Sequence, residues 1–260
     1  MSDADTLSLM VRAAQDAAAL LPPRSAPARF DSWPEFKQVY EAVELPVTAL
    51  LRERLEAAAP GTPWAEELDT VLPETGDRWV VDAVDGAVQY LQGLPQWSVS
   101  IALVRGGRAV LAALHSATLD RTYTAALGGG AFLDGEPVAP SAKTDLGLAL
   151  VATSNPPFVG RQPEAVAGAG GALAAVLPEV GAVRNLGPTS WQVADVASGR
   201  IDAFWQYGRD AGNLLAGALL ATEAGARVTD VAGGPWHPGS ATFLAAPAPL
   251  HTRLVALLAD

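Results

Sequence analysis

Residues 79–103 read WVVDAVDGAVQYLQGLPQWSVSIAL, and the rest of the chain is best interpreted around this segment. Residues 79–85 are apolar apart from two aspartates, which predicts a buried strand that ends in Asp82 and Asp85. Two carboxylates this close repel each other unless a cation or a shared proton offsets their charge. Carboxylate oxygens suit Mg²⁺, which also binds water and substrate phosphate oxygens. The same pattern fits a strand-end turn whose aspartates cap a helix, so the motif alone leaves both interpretations open.

The chain before this segment is predicted to be helical. Apolar residues recur at helical spacing over residues 5–21, and Pro22 and Pro23 end that helix. The proline- and serine-rich residues 23–35 predict a loop. A second helix is expected over residues 36–58, with Pro46 as a kink or a break.

The chain after the segment first predicts a meander of strands and then an alternation of strands and helices. The meander is expected over residues 97–104, 109–115, 121–126 and 131–133, with glycine-containing turns between the strands. Beyond it, strands are predicted at 148–153, 182–186, 203–206, 228–230 and 242–245, and helices at 162–177, 190–198, 211–224 and the C-terminus. Such alternation favours layered α/β packing. We expect two halves, residues 1–140 and 141–260, that form one compact unit.

Composition excludes several classes of function. The 260 residues carry a formal net charge of −11 with only 17 Lys and Arg, which argues against nucleic-acid binding. The chain has no cysteine, which excludes disulfides, thiolate metal sites and a cysteine nucleophile. The acidic N-terminus lacks the basic region of a signal peptide, and no apolar run has the length of a membrane span. We therefore expect a cytoplasmic protein without a membrane or nucleic-acid partner.

Five segments in one order resemble the motifs of the inositol monophosphatase family, over about residues 36–246. The segment at residues 79–103 resembles that family's Asp-Pro-Ile-Asp-Gly-Thr signature and the Val-Ser-Ile-Ala strand that follows it. The other four segments are WAEE (64–67), YTAALGGGAFLDGEPV (123–138), GPTSWQVADVASGRIDAF (187–204) and GRDAGNLLAGALLATEAGARVTD (208–230). The resemblance implies an α/β layered sandwich of αβαβα type, the fold that this family shares with fructose bisphosphatases.

The resemblance also implies a Mg²⁺ site, for which Mn²⁺ is an alternative ion. Its ligands would be the side chains of Glu66, Asp82, Asp85 and Asp210 and the backbone carbonyl of Val84. Glu67 is a nearby alternative to Glu66. Glu66, Asp82 and Asp85 are thereby also candidate catalytic residues.

The resemblance assigns the substrate phosphate to the turn that follows the Asp82–Asp85 strand. Backbone N–H groups of Gly86 and Ala87 would bind it at a helix N-terminus. An ordinary turn glycine is the alternative interpretation of Gly86.

The sequence departs from the family pattern where the attacking water would be oriented. Ala87 stands where the family has Thr or Ser, and alanine offers no hydroxyl group. The family's upstream aspartate partner is also missing, and Glu44 or Glu41 could serve as the base instead. Hydrolysis could therefore persist in a slower or altered form, or be lost.

The residues that the resemblance places near the substrate also depart from the family pattern. Gly187 and Thr189 lie near the family's contacts to a polyol, and Gln206 lies where inositol phosphatases have a glutamate that binds a hydroxyl group. The loop between Gln206 and Asp210 is about three residues shorter than usual. Arg209 in this loop could meet a second anionic group of the substrate, or it could be a solvated or ion-paired arginine.

These features predict a Mg²⁺-dependent phosphatase for a small sugar, inositol or related polyol phosphate. The alternative is a diverged member that binds metal but catalyses another reaction or none, which Ala87 favours. A homodimer is expected from the resemblance alone.

Overall fold

The computed structural model describes residues 1–65 and 75–259. Its helices are α1 (Asp3–Ala18), α2 (Trp33–Ala58), α3 (Ala87–Leu91), α4 (Pro163–Val176), α5 (Thr189–Ala197), α6 (Ala211–Glu223) and α7 (Ala248–Leu258). Its strands are β1 (Asp77–Asp85), β2 (Ser98–Arg105), β3 (Arg108–Ser116), β4 (Arg121–Ala126), β5 (Gly130–Leu133), β6 (Glu136–Pro137), β7 (Leu150–Ser154), β8 (Ala182–Arg184), β9 (Ala203–Tyr207), β10 (Arg227–Thr229) and β11 (Thr242–Ala246).

The first sheet is the predicted meander, in which each strand pairs antiparallel with the next from β1 to β6. Tight turns connect its hairpins, and Gly106 and Gly107 supply positive φ angles between β2 and β3. Strand β2 is buried along almost its whole length because helices cover both faces of the sheet. Residues 63–65 run beside the start of β1, where the Ala65 N–H donates to the Trp79 carbonyl.

The second sheet has the order β10-β11-β9-β7-β8. Strands β8, β7 and β9 are parallel, and the other pairs are antiparallel. Ser154 at the end of β7 pairs with Gln206 near the end of β9. The carboxyl ends of these two strands therefore meet at one edge, which is where open α/β sheets bind ligands.

Five layers stack in the order α, β, α, β, α within the described residues. Helices α1 and α2 cover one face of the first sheet, α5 and α6 lie between the sheets, and α4 and α7 cover the outer face of the second sheet. Four apolar cores separate the layers, which matches the predicted αβαβα sandwich. None of the described helices has the length and apolar character that crossing a membrane requires.

Helix α2 begins earlier and runs further without interruption than predicted. Ser32 accepts a hydrogen bond from the Glu35 N–H, and Pro34 occupies the first turn, where a missing N–H costs nothing. Those signals place the helix start at Trp33 instead of residue 36. Of the kink or break expected at Pro46, the break does not occur: α2 continues through Pro46 and buries Val47 and later apolar side chains.

Candidate metal and phosphate site

The end of β1 contains an irregularity that brings its two aspartates to one face. Asp82 pairs with Ser100 and Asp85 with Ser98, so β1 advances three residues while β2 advances two. Side chains three residues apart on a regular strand point to opposite faces, and the extra residue of a bulge cancels one alternation. Val80 packs on the side of α5 and α6. Asp82, two residues later, points to the same face of the sheet because side chains alternate along a strand. Asp85 also faces this layer, since it accepts a hydrogen bond from Ser190 of α5.

Asp85 lies buried against the start of α5, with only 4% of its surface exposed. The Ser190 hydroxyl, in the first turn of α5, donates a hydrogen bond to Oδ2 of Asp85. Burial chiefly raises the pKa of Asp85, to about 7; the Ser190 hydroxyl lowers it, and the charge of Asp210 raises it. The fold therefore places carboxylates from its two halves within electrostatic reach of each other.

Asp210 precedes the first residue of α6 and is also buried. Nε2 of Gln206 donates to its Oδ2 over 2.8 Å, and Nδ2 of Asn213 donates to its Oδ1 over 2.7 Å. Burial raises the pKa of Asp210 to about 6, although both hydrogen bonds lower it. Two buried carboxylates are costly to ionise side by side, so the charge of a cation would stabilise the ionised pair.

The turn after Asp85 is a tight one. Gly86 has φ +89°, and a Cβ atom there would lie 2.8 Å from the Gln96 carbonyl oxygen and 3.4 Å from Pro188 Cβ. Only glycine fits this position without a shift of the backbone. Helix α3 starts directly after it at Ala87, so the first-turn N–H groups lack intrahelical acceptors. The starts of α3, α5 and α6 thus lie around Asp85, and each helix start favours negative charge.

The remaining predicted substrate residues lie around the same edge of the second sheet. Gly187 has φ +49° and lies against the Gln89 side chain of α3. Thr189 is buried and donates its hydroxyl to Ser154 Oγ over 2.8 Å. Gln206 is fully buried, and its amide is directed to Asp210.

Arg209 is the exposed member of the predicted set. Its Nε donates to the Gly239 carbonyl over 3.2 Å. Its backbone N–H donates to Oε1 of Gln162 over 2.9 Å. The substrate roles of all these residues stay predictions.

For the other predicted ligands and bases, the structure gives at most the exposure or a single contact. Glu66 and Glu67 lie outside the described residues. Glu44 is half-buried on α2, and Glu41 is 3.5 Å from Lys37 in an exposed ion pair. Val84 donates its N–H to Oδ1 of Asp82 over 3.0 Å, and the availability of its carbonyl to a metal stays a prediction.

The donor set suits a hard divalent cation. Within residues 1–65 and 75–259, no three His, Cys, Asp or Glu side chains are close enough to hold a metal ion. Asp85 and Asp210 nevertheless form a buried pair of oxygen donors with raised pKa values. Mg²⁺ takes such carboxylates together with water and phosphate oxygens, so the residues present fit this ion.

Sequence reasoning missed the hydrogen-bond donors that hold these carboxylates. Asn213 lies in the first turn of α6, three residues after Asp210, and this spacing places the two side chains together. Ser190 had no such local signal, because it lies 105 residues from Asp85 in the chain.

Comparisons with known proteins agree with this fold. A family model described as "Inositol monophosphatase family" matches residues 35–260. The chain is 37% identical over 199 residues to inositol-1-monophosphatase of Rhizobium meliloti, covering 74% of this chain and 72% of that protein. The structure of Mycobacterium tuberculosis SuhB superimposes with a TM-score of 0.78 at 30% identity, over 98% of this chain and 96% of the other. Extragenic suppressor protein suhB from Bartonella henselae gives a TM-score of 0.82 at 26% identity, over 98% and 99%. The chain therefore belongs to the inositol monophosphatase family.

Proposed function

We propose that this phosphoric monoester hydrolase uses Mg²⁺ to hydrolyse a small sugar, inositol or related polyol phosphate. The observation that carries the proposal is the buried pair of Asp85 and Asp210, held by donors from α5, β9 and α6 beside the glycine turn at Gly86. The pair of Asp85 and Asp210 would hold the ion, and Asp82, Glu66 and the Val84 carbonyl are the further ligands that would close around it on binding. Mn²⁺ is the natural alternative. A cytoplasmic homodimer without a nucleic-acid partner completes the proposal.

When bound, the cation would neutralise phosphate charge and lower the pKa of an attacking water. The chain itself orients the carboxylates that would bind the cation. Ser190 restrains Asp85, while Gln206 and Asn213 restrain Asp210, so neither carboxylate has to reorient on binding.

The phosphate would lie at the start of α3. Free N–H groups at Ala87 and the following residues would hold its oxygens, and the dipole of the helix favours its negative charge. Ala87 cannot orient water through its side chain, so Glu44 is the proposed base.

The test measures phosphate release from a panel of sugar, inositol and polyol phosphates, with Mg²⁺ and with a chelator. Wild type should release phosphate only with the metal, and Asp210→Asn should lower the rate by about 10³-fold, since the metal contributes several kcal/mol. Asp195→Asn is the matched control, because Asp195 is a half-buried aspartate whose pKa burial also raises to about 6, but it accepts a hydrogen bond from Tyr123 instead.

Metal binding is measured separately by the melting temperature. Mg²⁺ or Mn²⁺ should raise it in wild type and in Asp195→Asn, and most of the shift should vanish in Asp82→Asn. An unchanged shift in Asp82→Asn would remove Asp82 from the site.

A second candidate function rests on Ala87. A member that binds metal yet lacks ordinary hydrolysis would show the metal-dependent melting shift but release no phosphate from any substrate of the panel. The two measurements together therefore separate the two candidates.

A further inference from the structure

The polar side chains at the carboxyl ends of β7 and β9 bond mainly to other protein groups. Thr189 donates to Ser154, and Gln206 donates to Asp210, each over 2.8 Å. Gln206 has no exposed surface, and its amide oxygen has no hydrogen-bond partner among the described residues. In this arrangement the contacts of these side chains support the framework of the site, which leaves the part of the substrate beyond the phosphate to a more exposed surface.

An exposed group of aromatic rings lies at the start of α2. Among the described residues, Trp33 (61% exposed) and Phe158 (45% exposed) are the aromatic members of the large exposed hydrophobic side chains. Their ring centroids are 6.0 Å apart at 71°, and Trp33 stacks on Phe36 at 5.1 Å and 21°. We name Trp33, Phe36 and Phe158 the aromatic wall. One face of Trp33 is covered by Phe36, so the opposite face supplies most of its exposed area.

The Phe158 side of the wall adjoins the segment that leads to Asp210. Residues 155–162 follow β7, and a Cβ atom on Gly208 would lie 2.6 Å from Cγ of Pro156. In the same loop, Oε1 of Gln162 accepts the Arg209 N–H. The loop that carries Phe158 is therefore fixed against the two residues immediately before Asp210.

The α2 side of the wall is linked to α3 through the chain that leads into α2. The Ala28 N–H donates to the Leu91 carbonyl, at the end of α3, over 2.7 Å. Phe30, two residues further along, packs edge-to-face on Phe36 with ring centroids 5.1 Å apart. The wall is thus connected both to the loop before Asp210 and to the helix that follows Gly86.

Cationic side chains lie on the Phe158 side of the wall. The guanidinium of Arg161 lies 4.7 Å from the centroid of the Phe158 ring, and Arg209 is exposed on the segment that contacts this loop. The acidic residues Asp31 and Glu35 flank Trp33 in the sequence on the other side. Guanidinium groups stack on aromatic faces and on planar ligands. The Phe158 side therefore presents flat apolar and delocalised surfaces.

We propose that the aromatic wall binds the alcohol part of the substrate, which extends the substrate class to phosphate monoesters whose alcohol bears a flat aromatic or heteroaromatic ring. The inference rests on the phosphatase activity proposed above. Exposed, rigid rings lose little conformational freedom when a second ring stacks on them, and such pairs add stabilisation beyond burial of area. Trp33 provides the face on which the substrate ring stacks, and Phe158 contacts the Trp33 ring and holds it in place.

The test compares kcat and KM for 2-phenylethyl phosphate, 2-cyclohexylethyl phosphate and glycerol 2-phosphate. Wild type should prefer the phenyl over the cyclohexyl ester by about two- to tenfold. Trp33→Ala and Trp33→Leu should abolish this preference through KM, since stacking acts on bound substrate and transition state alike. Turnover of glycerol 2-phosphate should not change. Leu148→Ala, which removes another exposed apolar side chain (69% exposed), should behave as wild type.

Different results separate the inference from the proposed function. Hydrolysis by wild type without a phenyl preference, or an equal loss on all three esters in both Trp33 variants, overturns the inference alone. A smaller molar mass of Trp33→Leu in light scattering, with unchanged kinetics, would show that the wall joins copies of the chain and would also overturn it. Failure of wild type to release phosphate from any monoester overturns the proposed function itself.

Discussion

Replacement of Gly86 by alanine should damage both the stability of the fold and the site. Gly86 has φ +89°, and the new Cβ would lie 2.8 Å from the Gln96 carbonyl oxygen and 3.3 Å from Trp97 Cα. The left-handed conformation costs an L-residue about 1–2 kcal/mol. The overlap with backbone atoms, which cannot swing aside as a side chain can, adds about 1–3 kcal/mol.

Gly135→Ala provides the matched control. Gly135 has φ +84°, but a Cβ there would meet no atom within 4 Å. This variant should therefore lose only the conformational part, about 1–2 kcal/mol. The difference in unfolding free energy between the two variants therefore measures the cost of the contact with residues 96 and 97.

The assay is urea unfolding of both variants, followed by phosphate release with Mg²⁺. Gly86→Ala should unfold with about 1–3 kcal/mol less stability than Gly135→Ala, and it should lose turnover because the turn positions Asp85 and the α3 N–H groups. Gly135→Ala should keep wild-type turnover. Equal destabilisation of the two variants would refute the close approach of Gly86 to the 96–97 backbone, and normal turnover of Gly86→Ala would refute the phosphate role of the turn.

Three further predictions concern buried or missing polar groups. Burial raises the pKa of Asp195 to about 6, so the native state retains a proton that the unfolded state releases. The unfolding free energy should therefore fall by about 2 kcal/mol as the pH rises from about 4 to about 7. Asp195→Asn should remove that part of the slope in urea titrations, and an unchanged slope would contradict the assignment. Ser190→Ala removes the donor to buried Asp85 and should cost about 1–3 kcal/mol in unfolding and about 10–100-fold in Mn²⁺ affinity by calorimetry; wild-type affinity would exclude an orienting role. Ala87→Thr should raise turnover at saturating Mg²⁺ with little change in metal affinity, whereas a fall in turnover would show that alanine is part of a different mechanism.

The sequence alone determined the layered α/β fold, and it predicted a site at the end of β1. Alternating and continuous apolar runs, with glycine at the turns, are local signals, and local signals suffice to identify strands such as β1 and β2. The ending of β1 in Asp82 and Asp85, together with the order of the motifs, also indicated where a metal would bind. Even the missed start of α2 had a local signal in Ser32 and Pro34.

The tertiary structure decided which groups surround the carboxylates. A β-bulge that no residue pattern predicted determines the face of the sheet to which Asp82 and Asp85 point. The donor to Asp85 comes from Ser190, 105 residues away. Gln206, whose substrate role stays a prediction, donates to Asp210. Such contacts depend on how helices and sheets pack, and packing joins residues whose separation along the chain leaves no periodic trace.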